Sequence, residues 1–287
     1  MNVATDPVRV GYTGAAAAWA DDASLAYVPL ARHLVAACPD PLPDAVALDA
    51  GAGTGAAAAT LRDRGARVVA ADLQEEMLRG SGWLTQRVVA DVTALPFRTG
   101  TFDVVVAAFV LNHLARPALG LREIVRVCRP RGVVLASTFS ADRAVAKGIV
   151  DDVARAHGWV VPDWYDTFRA RAAGLSTVEQ VADIAREAGL GDVSVNESVI
   201  DIGLDDPMRI ARYRLGMPQL ACFVRSLPEH RRRALHDDVV AAIEASGGRL
   251  DPSVIELVGR ASRDPSGEAV GGGAAKRLGV LAGLDGE

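Results

Sequence analysis

The sequence predicts an α/β fold built on a doubly wound, mostly parallel sheet, and three observations carry that reading. Five short apolar runs alternate with helical patterns, the first run passes straight into a glycine-rich turn and an alanine-rich helix, and the next two runs each end on an aspartate. Strands that are apolar on both parities and separated by helices belong to a parallel sheet covered on both faces. At 287 residues with 50% hydrophobic content, the chain can bury one complete α/β core and carry additional elements around it.

The N-terminal stretch holds Tyr12, Trp19 and Tyr27 and then a helical spacing through Leu30, Leu34 and Val35. The first strand, Val46-Ala47-Leu48-Asp49, leads into Gly51, Gly53 and Gly55. These glycines remove Cβ atoms where a backbone turns sharply and lies against a ligand, and the following helix directs its unpaired N–H groups toward that ligand. The second strand, Arg67 to Ala71, ends in Asp72, placed to accept hydrogen bonds from a pair of ribose hydroxyls. The third, Val88-Val89-Ala90, ends in Asp91. Both aspartates also suit helix capping, and Gln74-Glu75-Glu76 reads as a helix start; the two roles are compatible.

The fourth strand, Phe102 to Ala108, follows the turn Arg98-Thr99-Gly100, and the fifth, Gly132 to Thr138, follows Arg129-Pro130-Arg131. A helix over Asp142 to His157 gives way to a break at Pro162 that gathers Trp159, Trp164, Tyr165 and Phe168, either as the wall of an apolar pocket or as core beneath a long loop. Ser176-Thr177-Val178-Glu179 reads as a capping box opening the next helix, which ends near Gly189. Asp192 to Val199 alternates with period two and is the sixth strand; Pro252 to Ala261 is the seventh, its antiparallel edge partner. Between them two or three helices carry Arg212, Arg214 and the run Arg231-Arg232-Arg233, which reads as a solvated helix face. Beyond Asp264 the periodicity is lost.

The strings A-L-D-A-G-A-G-T-G, A-A-D-L-Q-E-E-M-L, A-D-V-T-A-L-P-F, F-D-V-V-V-A-A-F-V-L-N-H-L and L-R-E-I-V-R-V-C-R-P-R-G-V-V-L-A-S-T stand in this order. Together they resemble the class I S-adenosylmethionine-dependent methyltransferases, most closely their small-molecule branch, over roughly residues 44 to 140. The resemblance implies a Rossmann-like, doubly wound sheet of seven strands with the last antiparallel. With the patterns beyond it, the chain is expected to divide into a helical lid over 1–43, a cofactor-binding catalytic core over 44–204, a helical insertion over 205–250 that caps the substrate cleft or mediates a homodimer, a last strand over 251–263, and a mobile tail over 264–287.

The cofactor so implied is S-adenosylmethionine. By the same resemblance, Asp49 and the turn of Gly51, Gly53 and Gly55 face its methionine moiety and Asp72 holds the ribose diol, with Leu73 and Met77 at the adenine ring. Asp91 and Val92 read the adenine edge, Phe109 lies beside the sulfonium, and Tyr12 reaches the cofactor carboxylate. The turn alone also satisfies the relaxed fingerprint of nicotinamide enzymes through Ala56, but Gly55 and Asp91 favour the sulfonium cofactor. A protein that binds this cofactor without transferring its methyl, or a cyclase, stays open as a different class.

A sulfonium methyl is already activated, so few catalytic side chains are needed: the acceptor is held in line and its proton removed where necessary. His113 is the first candidate base, with His157 and Tyr165 behind it; an aromatic wall without a base suits a carbon acceptor. A net charge of −5 at pH 7 and a pI near 5.6 argue against nucleic acid as a partner. Three scattered cysteines, Cys38, Cys128 and Cys222, fit buried thiols in a reducing compartment, and Cys and His show no metal spacing. With no apolar span or leader pattern, the expected location is cytoplasmic, away from membrane. The expected partner is a small organic molecule.

Overall fold

The apolar runs pair into one sheet of seven strands: β1 (Val46–Ala50), β2 (Arg67–Asp72), β3 (Arg87–Val89), β4 (Phe102–Ala108), β5 (Cys128–Phe139), β6 (Leu190–Val199) and β7 (Ser253–Ala261). Their order across the sheet is β3-β2-β1-β4-β5-β7-β6. This computed structural model describes residues 6–262 apart from 15, 81, 142–144 and 248, so the expected tail over 264–287 lies outside the described residues. Strands β1 to β5 pair in parallel, and β7 runs antiparallel to both β5 and β6.

Alternate residues of the central strands feed two separate cores, as the period of two along a strand requires. Val104 and Val106 of β4 pack with Leu34, Val35 and Leu61, from α3 (Ser24–Ala36) and α4 (Ala56–Asp63). On the other face Val105 and Ala107 pack with Leu121, Ile124 and Val181, from α6 (Pro117–Val127) and α9 (Val178–Glu187). A third core forms beyond this sandwich. Here α7 (Val145–Ala156), α10 (Pro207–Leu215), α11 (Pro218–Ser226) and α12 (Glu229–Ala245) close around Ile210, Leu220, Leu235 and Val239.

Three local expectations are corrected. The antiparallel pairing of β6 with β7 is present, but the edge belongs to β6. Val254, Ile255, Leu257 and Val258 are apolar on both parities, which an interior strand requires, whereas β6 alternates between half-buried and exposed. The capping box sits one residue later than the S-x-x-E pattern: Thr177 Oγ1 accepts from Gln180 N at 3.3 Å and Gln180 Oε1 accepts from Thr177 N at 3.2 Å. Pro162 does not break a loop but precedes α8 (Asp163–Ala173) as its N-cap, where its fixed φ costs nothing. The arginine run 231–233 is exposed on α12, as expected. Cys38 and Cys128 are buried, whereas Cys222 is exposed, against the expectation of three buried thiols.

The entry to β1 is fixed by a side chain. Asp103 Oδ2 accepts from Val46 N at 2.8 Å while Oδ1 pairs with Arg129 Nη1 at 2.6 Å, joining β1, β4 and β5 at one point. We expect Asp103→Ala to destabilise the fold by about 1–3 kcal/mol in denaturant unfolding, because it strands a buried N–H, and Asp103→Asn, which keeps an acceptor, to cost less.

Candidate active site

Strand order reverses between β1 and β4, since the chain moves outward to β2 and β3 on one side and to β5 on the other. Loops leaving the carboxyl ends of these neighbours diverge, and a crevice opens where they part. In this chain it is a cavity of about 780 Å3. Twelve of the residues singled out from sequence line it: Tyr12, Asp49, Gly51, Gly53, Gly55, Asp72, Leu73, Met77, Asp91, Val92, Phe109 and His113; the candidate bases His157 and Tyr165 do not.

The three glycines of the turn have φ of 76°, 55° and 86°, in the left-handed region. Their second reasons differ. A Cβ on Gly51 would lie 2.3 Å from Val110 Cγ2 and one on Gly55 2.8 Å from Leu84 Cδ1, so both are demanded by the protein's own packing. At Gly53 the nearest atoms are Met77 Cε and Trp19 Nε1, each at 3.7 Å. Gly53 is therefore the glycine that offers bare backbone to a ligand.

Two carboxylates hold this turn. Asp49, 1% exposed at the end of β1, accepts from Ala58 N of α4 at 2.8 Å. Asp72 Oδ2 accepts from Gly53 N at 2.8 Å and its Oδ1 from Gln74 N at 2.8 Å, the latter just before α5 (Glu75–Arg79). Burial pushes the Asp49 carboxyl up to about 7 against the pull of the Ala58 bond, with the Asp72 charge adding to the rise. Burial also raises Asp72, opposed by backbone N–H groups of Gln74, Gly53 and Leu73. Asp91 Oδ1 accepts from both the N–H and the hydroxyl of Thr93, at 2.8 and 2.7 Å. A ligand bearing hydroxyls, an amino group and a positive charge finds in these carboxylates the acceptors it needs.

The opposite side of the cavity is aromatic. Phe109 leaves β4 with φ of 55°, rare for a residue with a Cβ. Its N–H bonds Ser137 O at 3.0 Å, and its ring packs on Phe139 at 4.5 Å and edge-on to Tyr27 at 5.4 Å. Tyr12 lies between Trp19, His113 and Trp164 at 5.7, 5.2 and 5.8 Å. His113 ends a 3-10 turn, and its ring packs against Phe168 at 4.7 Å. Burial and the neighbouring Arg171 push its imidazole down to about 4, so it is neutral at working pH.

The N-terminal segment lies across this side. The short α1 (Pro7–Gly11) is fastened by Gln74 Nε2 donating to Arg9 O at 2.7 Å. Nearby, Arg171 Nη1 on α8 pairs with Asp6 Oδ2 at 3.0 Å and donates to His113 O at 2.8 Å. Arg171 and Trp83 line the cavity yet carried no local signal in sequence, because nothing near either residue hints at what α8 or the loop after α5 faces.

Other sequence candidates fall elsewhere. Trp159 turns away from the aromatic group and donates to Gln219 O at 3.1 Å in the insertion core. His157 is outside the cavity lining and pairs with Asp238 at 2.8 Å. Arg212 pairs with Asp22 on the surface at 3.0 Å, but Arg214, read from sequence as a solvated arginine, is 1% exposed and pairs with Asp151 at 3.1 Å. Among the described residues no cluster of three or more His, Cys, Asp or Glu side chains is arranged to hold a metal ion, and no helix is long and apolar enough to cross a membrane.

Asp49 gives the ligand-free protein a distinctive pH response. Its folded carboxyl is raised above the unfolded value, so its relative stabilisation is complete below about 4 and lost as pH rises through about 7. His113 acts in the opposite sense, its penalty growing as pH falls from 6.5 toward about 4. We expect the melting temperature of the wild type, relative to Asp49→Asn, to fall between pH 4 and 7; parallel curves across that window would remove the buried charge from Asp49.

A family profile described as a methyltransferase domain matches residues 48–136. The demethylmenaquinone methyltransferase of Clavibacter sepedonicus is 42% identical over 99 residues, which is 32% of this chain and 40% of that protein. Its counterpart in Mycobacterium tuberculosis is 40% identical over 94 residues, again 32% of this chain and 40% of the relative. The chain thus spans less than half the length of the curated relatives it matches. Among solved structures, phosphoethanolamine N-methyltransferase 2 of Haemonchus contortus, bound to phosphomonomethylethanolamine and S-adenosylhomocysteine, shares the fold. It does so at a TM-score of 0.53 and 16% identity, over 82% of this chain and 52% of that one. Residues 48–136 thus carry a methyltransferase domain, and the chain is similar in sequence and in fold to methyltransferases.

Proposed function

We propose that the chain transfers the methyl group of S-adenosylmethionine to a small, largely apolar, ring-bearing acceptor, as a cytoplasmic step of secondary metabolism. The observation that carries this reading is a single cavity with two chemically different halves, carboxylates around a glycine turn on one side and tilted and edge-on aromatic rings on the other, meeting at Phe109 and His113. The curated relatives named for demethylmenaquinone make a quinone-like ring the first acceptor to try.

When bound, the cofactor supplies an electrophilic methyl on a sulfonium. In this reading Gly53 lies against its methionine portion and Asp49 faces its amino group. Asp72 accepts the ribose hydroxyls, Leu73 and Met77 flank the adenine ring, Asp91 and Val92 meet the adenine edge, and Tyr12 reaches the carboxylate. Gly51 and Gly55 set the turn on which these contacts depend. The aromatic half excludes water and aligns the acceptor beside Phe109, and this positioning supplies most of the rate. A neutral His113 adds no positive charge beside a sulfonium and takes the acceptor's proton where the acceptor is a hydroxyl or amine. The helical insertion caps the acceptor side: α10 packs on α3 and on the π-helical turn Trp19–Ala23 before it.

Parallel calorimetric titrations with S-adenosylmethionine, S-adenosylhomocysteine and NAD test the donor. Binding of the first two alone supports the proposal, and binding of NAD alone overturns it. We expect Asp72→Ala, checked for folding by circular dichroism, to weaken S-adenosylhomocysteine binding by about 1–3 kcal/mol. Once an acceptor is known, His113→Ala should lower kcat by about 10²-fold or more. The acid limb of the wild-type profile should then fall near pH 4, since activity needs the neutral ring and is lost as pH drops through that value. A limb near 6.5 would move the proton to another group.

A further inference from the structure

The four tyrosines of the chain are linked around the aromatic half: Tyr12 to Tyr27 through Trp19, Tyr12 to Tyr165 through Trp164, and Tyr27 to Tyr213 directly. Tyr12 and Tyr27 line the cavity. Tyr213, 2% exposed on α10, lies beside both the Tyr27 hydroxyl and Arg214. Tyr165 stacks on Phe168 at 5.8 Å and meets Trp164 edge-on at 5.7 Å. Behind them the Arg214 guanidinium is fully buried, with Nη2 on Asp151 at 3.1 Å and Nε without a partner.

This arrangement is costly as a purely structural device. Burying an ion pair seldom stabilises a fold beyond what apolar side chains of the same volume would give, and a buried N–H left unpaired costs more. The position rewards it differently. The ring neighbours of Tyr27 are aromatic: Trp19 at 4.9 Å, Phe109 at 5.4 Å and Phe139 at 6.2 Å. Tyr27 thus brings a hydroxyl, hydrogen-bonded to Tyr213, to a largely aromatic wall, with Arg214 beside Tyr213.

We propose that Tyr27 recognises an oxygen substituent, a ring hydroxyl or carbonyl, on the acceptor, with Tyr213 and Arg214 as positioning residues that hold and polarise its hydroxyl. Burial pushes the Tyr27 phenol well above its ordinary value while Arg214 opposes that rise, so Tyr27 stays a neutral donor. The positive field of Arg214 favours an electron-rich oxygen and disfavours a cationic amine. Both preferences select an oxygenated ring over a bare hydrocarbon or an ammonium-bearing one.

The inference rests on the methyl-transfer reading, and its test separates the two. Equilibrium dialysis of the full chain, in the presence of S-adenosylhomocysteine, compares 2-naphthol with naphthalene as probes. Retention of S-adenosylhomocysteine by the wild type reports on the donor reading alone. The ratio of the two naphthalene affinities reports on this one. We expect the wild type to prefer 2-naphthol by about tenfold, the worth of one well-placed hydrogen bond in a dry site. In Tyr27→Phe the ratio should fall toward one through loss on the 2-naphthol arm, and in the isosteric Tyr213→Phe it should fall part of the way. A ratio near one in the wild type, no binding of either probe with S-adenosylhomocysteine bound, or an unchanged ratio in Tyr27→Phe overturns the proposal.

Discussion

The hydrogen bond from Gly53 N to Asp72 Oδ2, 2.8 Å long, is the constraint on which the site depends. It joins the turn after β1 to the end of β2. With the companion bond from Ala58 N to Asp49 it places a glycine backbone, two carboxylates and a helix N-terminus around one point. Backbone groups in so tight a turn need partners, and buried carboxylates are among the few acceptors strong enough to justify their own desolvation. The parallel register of Asp49 with Ala70 and of Ala50 with Ala71 brings the two strand ends level so that one bond can span them.

The aromatic half is built differently. The carboxylate half comes from consecutive strand ends, whereas the aromatic half is assembled from the N-terminal helices, the loop after β4, α8 and the insertion, elements widely separated in the chain. Its rings touch in tilted and edge-on pairs that hold shape without filling the cavity. Phe109 accepts a strained backbone to take part, an expense that neighbouring packing on Phe139 and Tyr27 makes sustainable.

The two halves also divide the electrostatics. Carboxylates gather on one side, where the proposed cofactor would place its positive charge, while the aromatic side presents a neutral imidazole and neutral phenols, its guanidinium paired with Asp151. A positively charged ligand is drawn to one side, and an uncharged ring meets little desolvation cost on the other. Arg171 joins the halves mechanically through Asp6 and the carbonyl of His113, linking the N-terminal helices to the loop after β4.

The succession of strands along the chain, the glycine turn and the aspartates at three strand ends were legible in the sequence because each depends on residues within one strand, one turn or one helix start, where periodicity and stereochemistry act locally. Asp49, Asp72 and Asp91 needed no tertiary information to be recognised as strand-end carboxylates. What only the tertiary structure decided is where distant side chains meet. Arg214 sits among residues of a solvated helix by spacing alone, yet α10 turns it inward to Asp151; Trp159 neighbours Trp164 in sequence but packs into another core. The interior position of β7 and the drop of His113 toward a pKa of about 4 likewise follow from what packs against them. Burial and pairing across elements are set by how helices dock on the sheet, and local sequence carries no record of that docking.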